Sequence, residues 1–455
     1  MPMRIACVGA GPAGLYFSIL MKLRDAANEI TVYERNPADI THGWGVVFWN
    51  DLVADLRAND PGTAREVLDH SFCWIDQVVD VNGERRARGG GTGFGICRRK
   101  LLEILRSRAV GLGVKIRFGH EIACPTQLPD ADVIVAADGV GSQIRRLHMD
   151  RFKTRIDLGR NKYVWLATSR VFDAFTFGLV PTQAGWIWFH AYGFSHGMST
   201  FIVECAPETW KRLGFDTMNT AQSLARLQGI FGRYLEGHRL VSHSCQEDHL
   251  PWLNFRHMTN ERWHDGKVVL LGDAAHTTHF SIGSGTRLAM QDAISLATKL
   301  HGTNDIQAAL AAYQEERQLA MLRPQREARL SAEWFENVPR YADLPAQQLF
   351  ALLLERRSRL VGRLPPWLYF RLHQAKRIAF LRMLYRWASI GVEQVVGWRR
   401  QIPGRPHTNA GAVASLIGQD PLRGRGVDRA DDARGGELDV HLASKGLREA
   451  PFDQP

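Results

Sequence analysis

The sequence contains no long hydrophobic run. No apolar stretch approaches the roughly 18 residues that a membrane-spanning helix requires, and the N-terminus has none of the charged region, apolar stretch and cleavage site of a secretory signal. With 45% hydrophobic and 23% charged residues among 455, the chain is neither disordered nor collagen-like. We therefore expect a cytoplasmic protein of two or three packed domains with no transmembrane segment.

Cysteine is scarce, and its positions argue against a redox or metal site. The six cysteines lie far apart, with no close pair of the kind that binds zinc or cycles between thiol and disulfide. His276 and His279 are three residues apart, but no neighbouring cysteine or acidic residue completes a zinc pattern. We expect reduced, buried thiols and no bound metal.

Positive charge is distributed unevenly. Of the formal net charge of +10, most arises between residues 351 and 402, where eleven lysines and arginines stand against Glu355 and Glu393. Apolar residues at helical spacing in this stretch predict an amphipathic helix with a cationic face. A solvated face is the plain interpretation, and a membrane surface, an acidic partner or a phosphate-bearing substrate remains open. Because the excess is confined to one segment, we expect no nucleic-acid partner.

A glycine-rich turn near the N-terminus carries the first functional motif. An apolar strand precedes Gly9, Gly11 and Gly14, a helix follows from Leu15, and the next strand ends at Glu34. The first glycine permits the tight turn, the second lets the backbone approach a pyrophosphate, and the third lets helix and strand pack closely. A carboxylate at position 34 binds a ribose hydroxyl and disfavours a 2′-phosphate. This context predicts a site for FAD or NAD rather than a chance glycine turn.

Two further strands end in glycine and aspartate. The apolar run 133–137 leads into Asp138 and Gly139, and the run 267–271 leads into Gly272 and Asp273, before a long helix from about Thr286 to Leu300. Strands that end in such turns beside helices predict a doubly wound, Rossmann-like α/β domain assembled from separated parts of the chain.

The remaining segments differ in composition and residue pattern, and these differences define the expected domains. Residues 155–204 favour aromatic and β-branched strands, residues 306–402 are helical and arginine-rich, and residues beyond 403 are rich in glycine and proline. The predicted nucleotide-binding domain is discontinuous and comprises 1–75, 96–154 and 255–305. A mainly antiparallel β substrate domain is inserted, and it comprises 76–95 and 155–254. A helical C-terminal region (306–402) and a flexible tail (403–455) complete the α/β fold.

Taken together, the three motifs resemble those of class A flavoprotein monooxygenases, which have the para-hydroxybenzoate hydroxylase fold. The resemblance covers roughly residues 4–340 and implies that the nucleotide is FAD. It implies that Asp273 holds the ribityl chain, that Asp138 lies near the pyrophosphate, and that Arg98 contacts the cofactor from a helix start. Alternatives are a helix N-cap for Asp273 and a surface salt bridge for Arg98. The remaining residues assigned to the cofactor are Arg35, beside Glu34, and Gly283 and Gly285, at a helix N-terminus suited to negative charge on reduced flavin.

The segment 277–286 lacks the prolines that most members of the family carry there. In this respect, and at 43–48, 160–165, 199–204 and 333–338, the chain looks like a narrower branch. That branch contains salicylyl-CoA 5-hydroxylase, 2-aminobenzoyl-CoA monooxygenase/reductase and the violacein-pathway indole hydroxylase. The large CoA enzymes also carry a C-terminal flavin reductase domain, which this sequence lacks, so we expect no second activity.

The resemblance implies aromatic hydroxylation. In such a reaction NADH or NADPH reduces FAD, O2 forms a C4a-hydroperoxyflavin, and an electron-rich ring attacks its distal oxygen. The expected substrate is an aryl-CoA thioester such as salicylyl-CoA or 2-aminobenzoyl-CoA. Alternatives are an indole or tryptophan-derived intermediate, a flavin oxidase or halogenase activity, and a non-catalytic FAD-binding protein. A homodimer is left open.

Three side chains are candidates for the catalytic acid or base. His190, Tyr192 and His279 fall in motifs of the branch and can exchange or share protons. Each also has a plain structural interpretation. We further expect Gly43-Trp44-Gly45 to form a mobile loop near the substrate ring.

Overall fold

A computed structural model describes residues 2–38, 40, 43–243, 248–377 and 383. These residues belong to the first of two units, Met1–Leu384, whereas the second unit, Tyr385–Pro455, lies outside them. The predicted tail 403–455 is therefore outside the described residues. So is the predicted helical region beyond residue 377, apart from Met383.

Strands form two sheets within the described residues. In chain order they are β1 (Arg4–Val8), β2 (Glu29–Glu34), β3 (Gly45–Phe48), β4 (Phe72–Val81), β5 (Arg85–Cys97), β6 (Lys115–Phe118), β7 (Val133–Ala136), β8 (Thr154–Thr168), β9 (Phe175–Thr182), β10 (Gly185–Ser195), β11 (Met198–Cys205), β12 (Leu240–Val241), β13 (Leu253–Asn260), β14 (His264–Asp265) and β15 (Val268–Leu270).

Helices connect and cover these sheets. They are α1 (Pro12–Arg24), α2 (Asn50–Asn59), α3 (Pro61–Asp69), α4 (Arg98–Gly111), α5 (Gln143–Leu147), α6 (Met149–Phe152), α7 (Pro207–Arg212), α8 (Thr220–Leu235), α9 (Gly285–His301), α10 (Ile306–Glu336), α11 (Ala346–Leu354), α12 (Arg359–Arg363) and α13 (Pro366–Arg377). None of the helices in the described part of the chain is long and apolar enough to cross a membrane.

The first sheet has the strand order β14-β15-β7-β1-β2-β6. Its strands run parallel except at the β14–β15 edge. Four consecutive residues of β1 are buried, as expected for a parallel strand covered on both faces. The helices α1 and α9 pack against each other beside it. This arrangement confirms the predicted Rossmann-like domain.

The second sheet has the order β12-β8-β11-β10-β9-β4-β5-β3, and β13 also pairs with β8. All of its pairs are antiparallel except β4 with β9. The strands predicted between residues 155 and 204 fall within β8 to β11. The mainly antiparallel substrate sheet is therefore confirmed.

The helical region after residue 305 packs against this second sheet. Trp334 and Phe335, at the end of α10, are buried in one cluster with Phe177 and Trp188 of the sheet. The α11 helix contacts β4 and β5 in the same way. Apolar side chains of the helices therefore bury one face of the sheet.

The cysteines agree only in part with expectation. Cys7 and Cys205 are buried, and burial raises the pKa of both thiols. The prediction of a buried thiol is wrong for Cys73, which is exposed on β4. Outward-facing positions alternate with buried ones on a strand, and the sequence does not show which face Cys73 occupies.

Candidate functional site

The three glycines after β1 occupy positions that their spacing predicts. Gly9 has a φ of +107°, and a side chain there would collide with the carbonyl of Ala137. A side chain at Gly14 would collide with the carbonyl of Gly9, whereas nothing lies within 4 Å of one at Gly11. The turn is thus tight at its two ends and open in the middle, where a pyrophosphate can approach the backbone.

Glu34 closes this turn from the end of β2. Its carboxylate accepts hydrogen bonds from the backbone N–H groups of Ala10 at 2.9 Å and Asn36 at 3.0 Å. Glu34 also lines a cavity of about 290 Å³, together with Gly11 and Arg98. Arg35 is exposed and is not among the residues that line this cavity. The arrangement leaves the Glu34 carboxylate facing the space that a ribose would fill.

Asp138 contributes an acceptor that the protein does not satisfy. Its Oδ2 atom accepts the N–H of Gln143 at 2.8 Å, but its buried Oδ1 has no hydrogen-bond partner within the described residues. Burial raises the pKa of this carboxyl group. A buried acceptor without a donor is costly, and the neighbouring Gly139 and Gly141 have open space beside their α-carbons. These features fit a ligand that donates a hydrogen bond.

Arg145 lies in the second motif, which begins at Asp138, and connects it to the third motif, which begins at Gly272. Its guanidinium is buried and donates to the carbonyl oxygens of Ala274 at 3.0 Å and Val140 at 2.6 Å. Burial lowers its pKa to about 10, so the side chain stays charged at neutral pH. No sequence pattern predicts this role, because an arginine in a basic doublet at a helix start is normally solvated.

Asp273 and Arg98 are close enough to interact electrostatically. Asp273 lies within a short 3₁₀ helix, Gly272–Ala274, and does not cap a helix. Its side chain is exposed. Desolvation by the surrounding protein raises the pKa of this carboxyl group, and the charges of His276 and Arg98 oppose that effect. Arg98 is the first residue of α4 and makes no salt bridge to a surface carboxylate in the described chain. Neither alternative interpretation therefore describes these two residues.

The third motif ends in a helix N-terminus that is open to a ligand. Gly283 has a φ of +61°, which suits glycine, and Gly285 begins the 17-residue helix α9 with open space beside it. The free N–H groups and the dipole of α9 favour negative charge at this point. Together with the open turn at Gly11 and the unsatisfied Asp138, this geometry fits a dinucleotide with a redox-active ring.

A second cavity, of about 330 Å³, lies beside Gly283. The aromatic side chains of Trp49, Phe175 and Phe177 form part of its wall. Phe175 and Phe177 come from β9, so the substrate sheet meets the nucleotide-binding domain here. Aromatic walls of this kind suit a planar aromatic ligand.

His190 belongs to a buried hydrogen-bond network centred on Glu204. The Glu204 carboxylate accepts from Asn161 at 2.7 Å, from the Trp188 indole at 3.1 Å and from His190 Nε2 at 3.2 Å. Burial alone would raise the pKa of Glu204, but the hydrogen bonds from His190 and Asn161 hold it below its ordinary value. Burial also lowers the pKa of His190. An ionised Glu204 thus accepts from a neutral imidazole.

His279 ends a chain of buried hydrogen bonds that starts at Arg356. Arg356 Nε donates to Ser331 Oγ at 2.9 Å, and Ser331 Oγ lies 2.7 Å from Ser281 Oγ. Ser281 Oγ in turn lies 2.7 Å from His279 Nδ1. The backbone N–H of Ser281 also donates to His279 Nδ1, at 3.3 Å, so this nitrogen is an acceptor and the Ser281 hydroxyl donates to it. Burial lowers the pKa of His279 to about 3, so this imidazole is neutral at pH 7.

Tyr192 lies apart from the two histidine networks. Its hydroxyl donates to the carbonyl of Gly45 at 2.8 Å, and the N–H of Gly45 donates to Thr200 Oγ1 at 3.0 Å. Burial raises the pKa of this phenol. The expected mobile loop is wrong for Gly45, which begins β3 and is held by these bonds. The Trp44 ring stacks on His243 with 3.7 Å between ring centroids.

The expected solvated cationic face is wrong for Arg356. Only 6% of this residue is exposed. Its guanidinium donates to the carbonyl oxygens of Leu353 at 2.6 Å and Ser281 at 2.7 Å, and burial lowers its pKa to about 9. The Ser281 carbonyl belongs to the loop that lines the second cavity, so a helical-region residue supports the site.

Buried His279 makes the stability of the protein depend on acid. The unfolded chain binds a proton at a pKa near 6.5, whereas the folded chain does not until about pH 3. The contribution of His279 to stability is therefore complete above pH 6.5 and is lost as the pH falls toward 3. We expect the free energy of unfolding to fall by about 2 kcal/mol between pH 7 and pH 5 from this group alone.

Urea denaturation followed by circular dichroism at both pH values measures this effect. The His279→Gln variant is the control, because it lacks the titrating group and its stability should change less between the two pH values. Buried His190 has a lowered pKa as well, so some acid sensitivity should remain in the variant. Equal pH dependence in the two proteins would contradict the assignment to His279.

Within the described residues no group of three or more His, Cys, Asp or Glu side chains is placed to hold a metal ion. His276 and His279 face different partners, since His276 Nε2 lies 2.7 Å from Asp292 Oδ2. The two histidines act in separate networks.

Comparisons with known proteins identify the family. Residues 125–326 match the model of an FAD binding domain. The chain is 36% identical to salicyloyl-CoA 5-hydroxylase of a Streptomyces species, over 87% of this chain and 80% of that protein. It is 35% identical to 3-hydroxy-4-methyl-anthranilyl-(aryl-carrier protein) 5-monooxygenase of Streptosporangium sibiricum, over 79% of this chain and 96% of that protein. It is 34% identical to protodeoxyviolaceinate monooxygenase of Chromobacterium violaceum, over 79% of this chain and 95% of that protein.

A solved structure supports the fold. A mutant of 2-methyl-3-hydroxypyridine-5-carboxylic acid oxygenase superposes with a TM-score of 0.61 and 20% identity, covering 79% of this chain and 99% of that one. These relatives are hydroxylases and monooxygenases, and both the acyl-CoA and the violacein branches named by the sequence motifs are represented among them. The chain belongs to the FAD-dependent aromatic monooxygenases and is an aromatic hydroxylase that uses FAD with NAD(P)H as co-substrate.

Proposed function

We propose that this hydroxylase acts with O2 on an aromatic acyl thioester, with salicyloyl-CoA and 2-aminobenzoyl-CoA as the first candidates. The observation that carries the proposal is the aromatic cavity beside Gly283, whose walls include Phe175 and Phe177. Two relatives above 30% identity are named for acyl groups on CoA or on a carrier protein. Both substrates combine a flat ring with a thioester, which suits a narrow aromatic pocket with a polar approach.

In this proposal, different residues of the chain bind the cofactor and the substrate. Bound FAD supplies the exchange of electrons with NAD(P)H and the activation of O2. Glu34 and Asp273 would hold hydroxyl groups of the cofactor, Arg98 would pair with its phosphates, and Asp138 would lie near them and accept a hydrogen bond. The N-terminus of α9 would stabilise negative charge on the reduced ring. The walls formed by β9 hold the substrate ring and exclude water.

The three acid–base candidates have different prospects within this proposal. The Tyr192 hydroxyl donates a hydrogen bond to the carbonyl of Gly45, so we assign Tyr192 the positioning of β3. His279 accepts from Ser281 and we assign it the positioning of the loop 281–284. His190 keeps an imidazole Nδ1 that is buried without a hydrogen-bond partner in the described chain. Among the three candidates it therefore has the unpartnered ring nitrogen, although it does not itself line the cavity beside Gly283.

A second substrate class has its own support. The chain covers 95% of protodeoxyviolaceinate monooxygenase at 34% identity. An indole-derived intermediate is also flat and electron-rich, so the same aromatic walls would accept it. This alternative predicts turnover of indoles without a thioester.

The test compares substrates with purified, flavin-loaded protein. NADH and NADPH oxidation and product mass are followed with salicylate, anthranilate, their CoA thioesters, indole and tryptophan. Stimulated oxidation with a product one oxygen heavier on the thioesters supports the proposal. Product from indoles alone would overturn it and establish the second class.

Glu34 provides a direct test of the cofactor site. Replacing Glu34 with alanine removes the carboxylate that faces the cavity near Gly11, and we expect the Kd for FAD to rise about tenfold to one hundredfold. Flavin fluorescence titration of the apoprotein measures this change. Glu29→Ala is the matched control, since Glu29 is an exposed carboxylate at the other end of β2. Equal FAD affinity in the two variants would contradict the role of Glu34.

A further inference from the structure

A groove of about 920 Å³ lies on the helical region. Its walls come from α10, the turn after it, and α12, and they include six arginines but only one carboxylate, Glu333. The arginines are Arg326, Arg329, Arg340, Arg356, Arg359 and Arg363. A concave surface with this excess of guanidinium groups attracts an anion with several charges.

Most of the groove arginines are free to bind a ligand. Arg340 donates to the carbonyls of Gly362 and Leu364, and Arg356 is committed as described above. The other four form no ion pair or side-chain hydrogen bond with another residue in the described part of the chain. Unpaired arginines along one groove are poised for phosphate, which accepts two parallel hydrogen bonds from one guanidinium.

The groove also contains an aromatic donor without an acceptor. Trp334 is buried and lines the groove, and its indole N–H has no hydrogen-bond partner within the described residues. Its ring stacks on Tyr341, with 4.9 Å between centroids and 3° between planes. An unsatisfied buried N–H is costly, so a polar ligand atom at this wall would offset that cost.

Arg356 connects this groove to the aromatic cavity. It lines both spaces. Its guanidinium bonds Ser331 on α10 and the Ser281 carbonyl in the cavity loop. A ligand with a charged end in the groove and an aromatic end in the cavity would therefore pass this one residue.

We propose that the arginine groove binds the phosphorylated nucleotide end of a CoA thioester while its aryl group occupies the cavity beside Gly283. The inference rests on the proposed function, which supplies the thioester. CoA fits the groove because it carries three phosphate groups on a nucleotide, joined to the acyl group by the flexible pantetheine arm. The arm bears no charge of its own, which matches the separation between a cationic groove and an aromatic cavity.

The test removes charge from the groove without touching the cavity. The variant Arg326→Gln, Arg359→Gln, Arg363→Gln changes three exposed arginines of the groove. Its control is Arg57→Gln, Arg65→Gln, two exposed arginines on α2 and α3. Each protein is assayed with salicyloyl-CoA, with salicyloyl-pantetheine, which lacks the nucleotide, and with a salicyloyl group on an acyl carrier protein. Free CoA and free pantetheine are titrated by calorimetry.

We expect KM for salicyloyl-CoA to rise about tenfold in the groove variant, with kcat and the KM for salicyloyl-pantetheine unchanged. Binding of free CoA should weaken in parallel and decline with added salt. Equal KM values for the two thioesters in the unaltered protein would overturn the groove assignment and leave the proposed function standing. Turnover of neither thioester would overturn the proposed function. A loss confined to substrate on an acyl carrier protein would assign the groove to that partner and overturn CoA binding.

Discussion

Replacing Asp292 with alanine is expected to lower the free energy of unfolding by about 3–5 kcal/mol. Asp292 is fully buried on α9 and accepts from His276 Nε2 and from Arg317 Nε, both at 2.7 Å. Burial alone would raise its pKa, but the charges and hydrogen bonds of these two partners hold it below its ordinary value. Without the carboxylate, a buried guanidinium and an imidazole lose their acceptor. The loss is a large fraction of the 5–15 kcal/mol typical of a folded domain.

Urea denaturation of the flavin-loaded protein measures the effect, with bound flavin as a second readout. The matched control is the fully apolar variant His276→Phe, Asp292→Leu, Arg317→Met. It removes all three polar groups, leaves none unpaired, and should be more stable than Asp292→Ala. A loss below about 1 kcal/mol in Asp292→Ala would show that the ion pairs contribute little.

The cost of removing Asp292 should extend to cofactor binding. His276 follows the third motif by three residues, and its position is fixed by Asp292 on α9 and by stacking on Trp263 at 5.1 Å between centroids. Arg317 brings α10 to the same carboxylate. The buried cluster thus holds Asp273 in place relative to the helix whose N-terminus opens toward the cleft. We expect flavin content to fall with stability.

Features of the site that depend on residues close together in the sequence could be predicted from the sequence. The glycine turn after β1 is a local pattern, and its three positions have the tight and open geometry that their spacing implies. Helix ends were close: the helix predicted from Thr286 to Leu300 runs from Gly285 to His301. The first helix was predicted from Leu15 but begins at Pro12, because proline's fixed φ suits the first helical turn.

The contacts that assemble these parts could not be predicted in this way. Arg145 bonds the carbonyl of Ala274, 129 residues away, and Arg356 bonds that of Ser281, 75 residues away. A basic segment carries the same pattern whether each arginine faces water or the interior, so periodicity does not single out Arg356. The sequence likewise indicates Glu204 only as the last residue of the strand motif 199–204. Its role depends on three partners from β8 and β10 that the sheet register brings beside it.

Arg356 is the residue whose replacement should affect the reaction most. The Arg356→Met variant keeps a long apolar stem but loses the donors to Ser281, Ser331 and Leu353. The variant also loses the guanidinium from the faces of Phe177 and Phe335, where its carbon lies 5.5 and 5.9 Å from the ring centroids. We expect about 3–5 kcal/mol less stability, because two backbone carbonyls and a serine hydroxyl lose a charged donor.

The expected effect on activity is larger than the effect on folding alone. Ser281 begins the stretch that lines the aromatic cavity, and its hydroxyl is the donor to His279. When this stretch loses its anchor, the substrate ring is no longer fixed in position, and a small misplacement is enough to slow the chemical step about one hundredfold. NAD(P)H consumption should continue while hydroxylated product falls. The ratio of product to oxidised nicotinamide therefore measures the role of Arg356.

Its neighbour provides the control for this prediction. Arg357→Met removes the same charge one residue away, where the guanidinium donates to Ile282 at 3.3 Å and lies 3.8 Å from Glu327. This variant should retain most of the product yield, since a long hydrogen bond and a partly exposed ion pair contribute little. Arg356→Lys keeps the charge without the planar fork and should fall between the two. Equal product yield in Arg356→Met and Arg357→Met would show that the loop 281–284 does not depend on Arg356, which within the described residues bonds Ser281, Ser331 of α10 and Leu353 of α11.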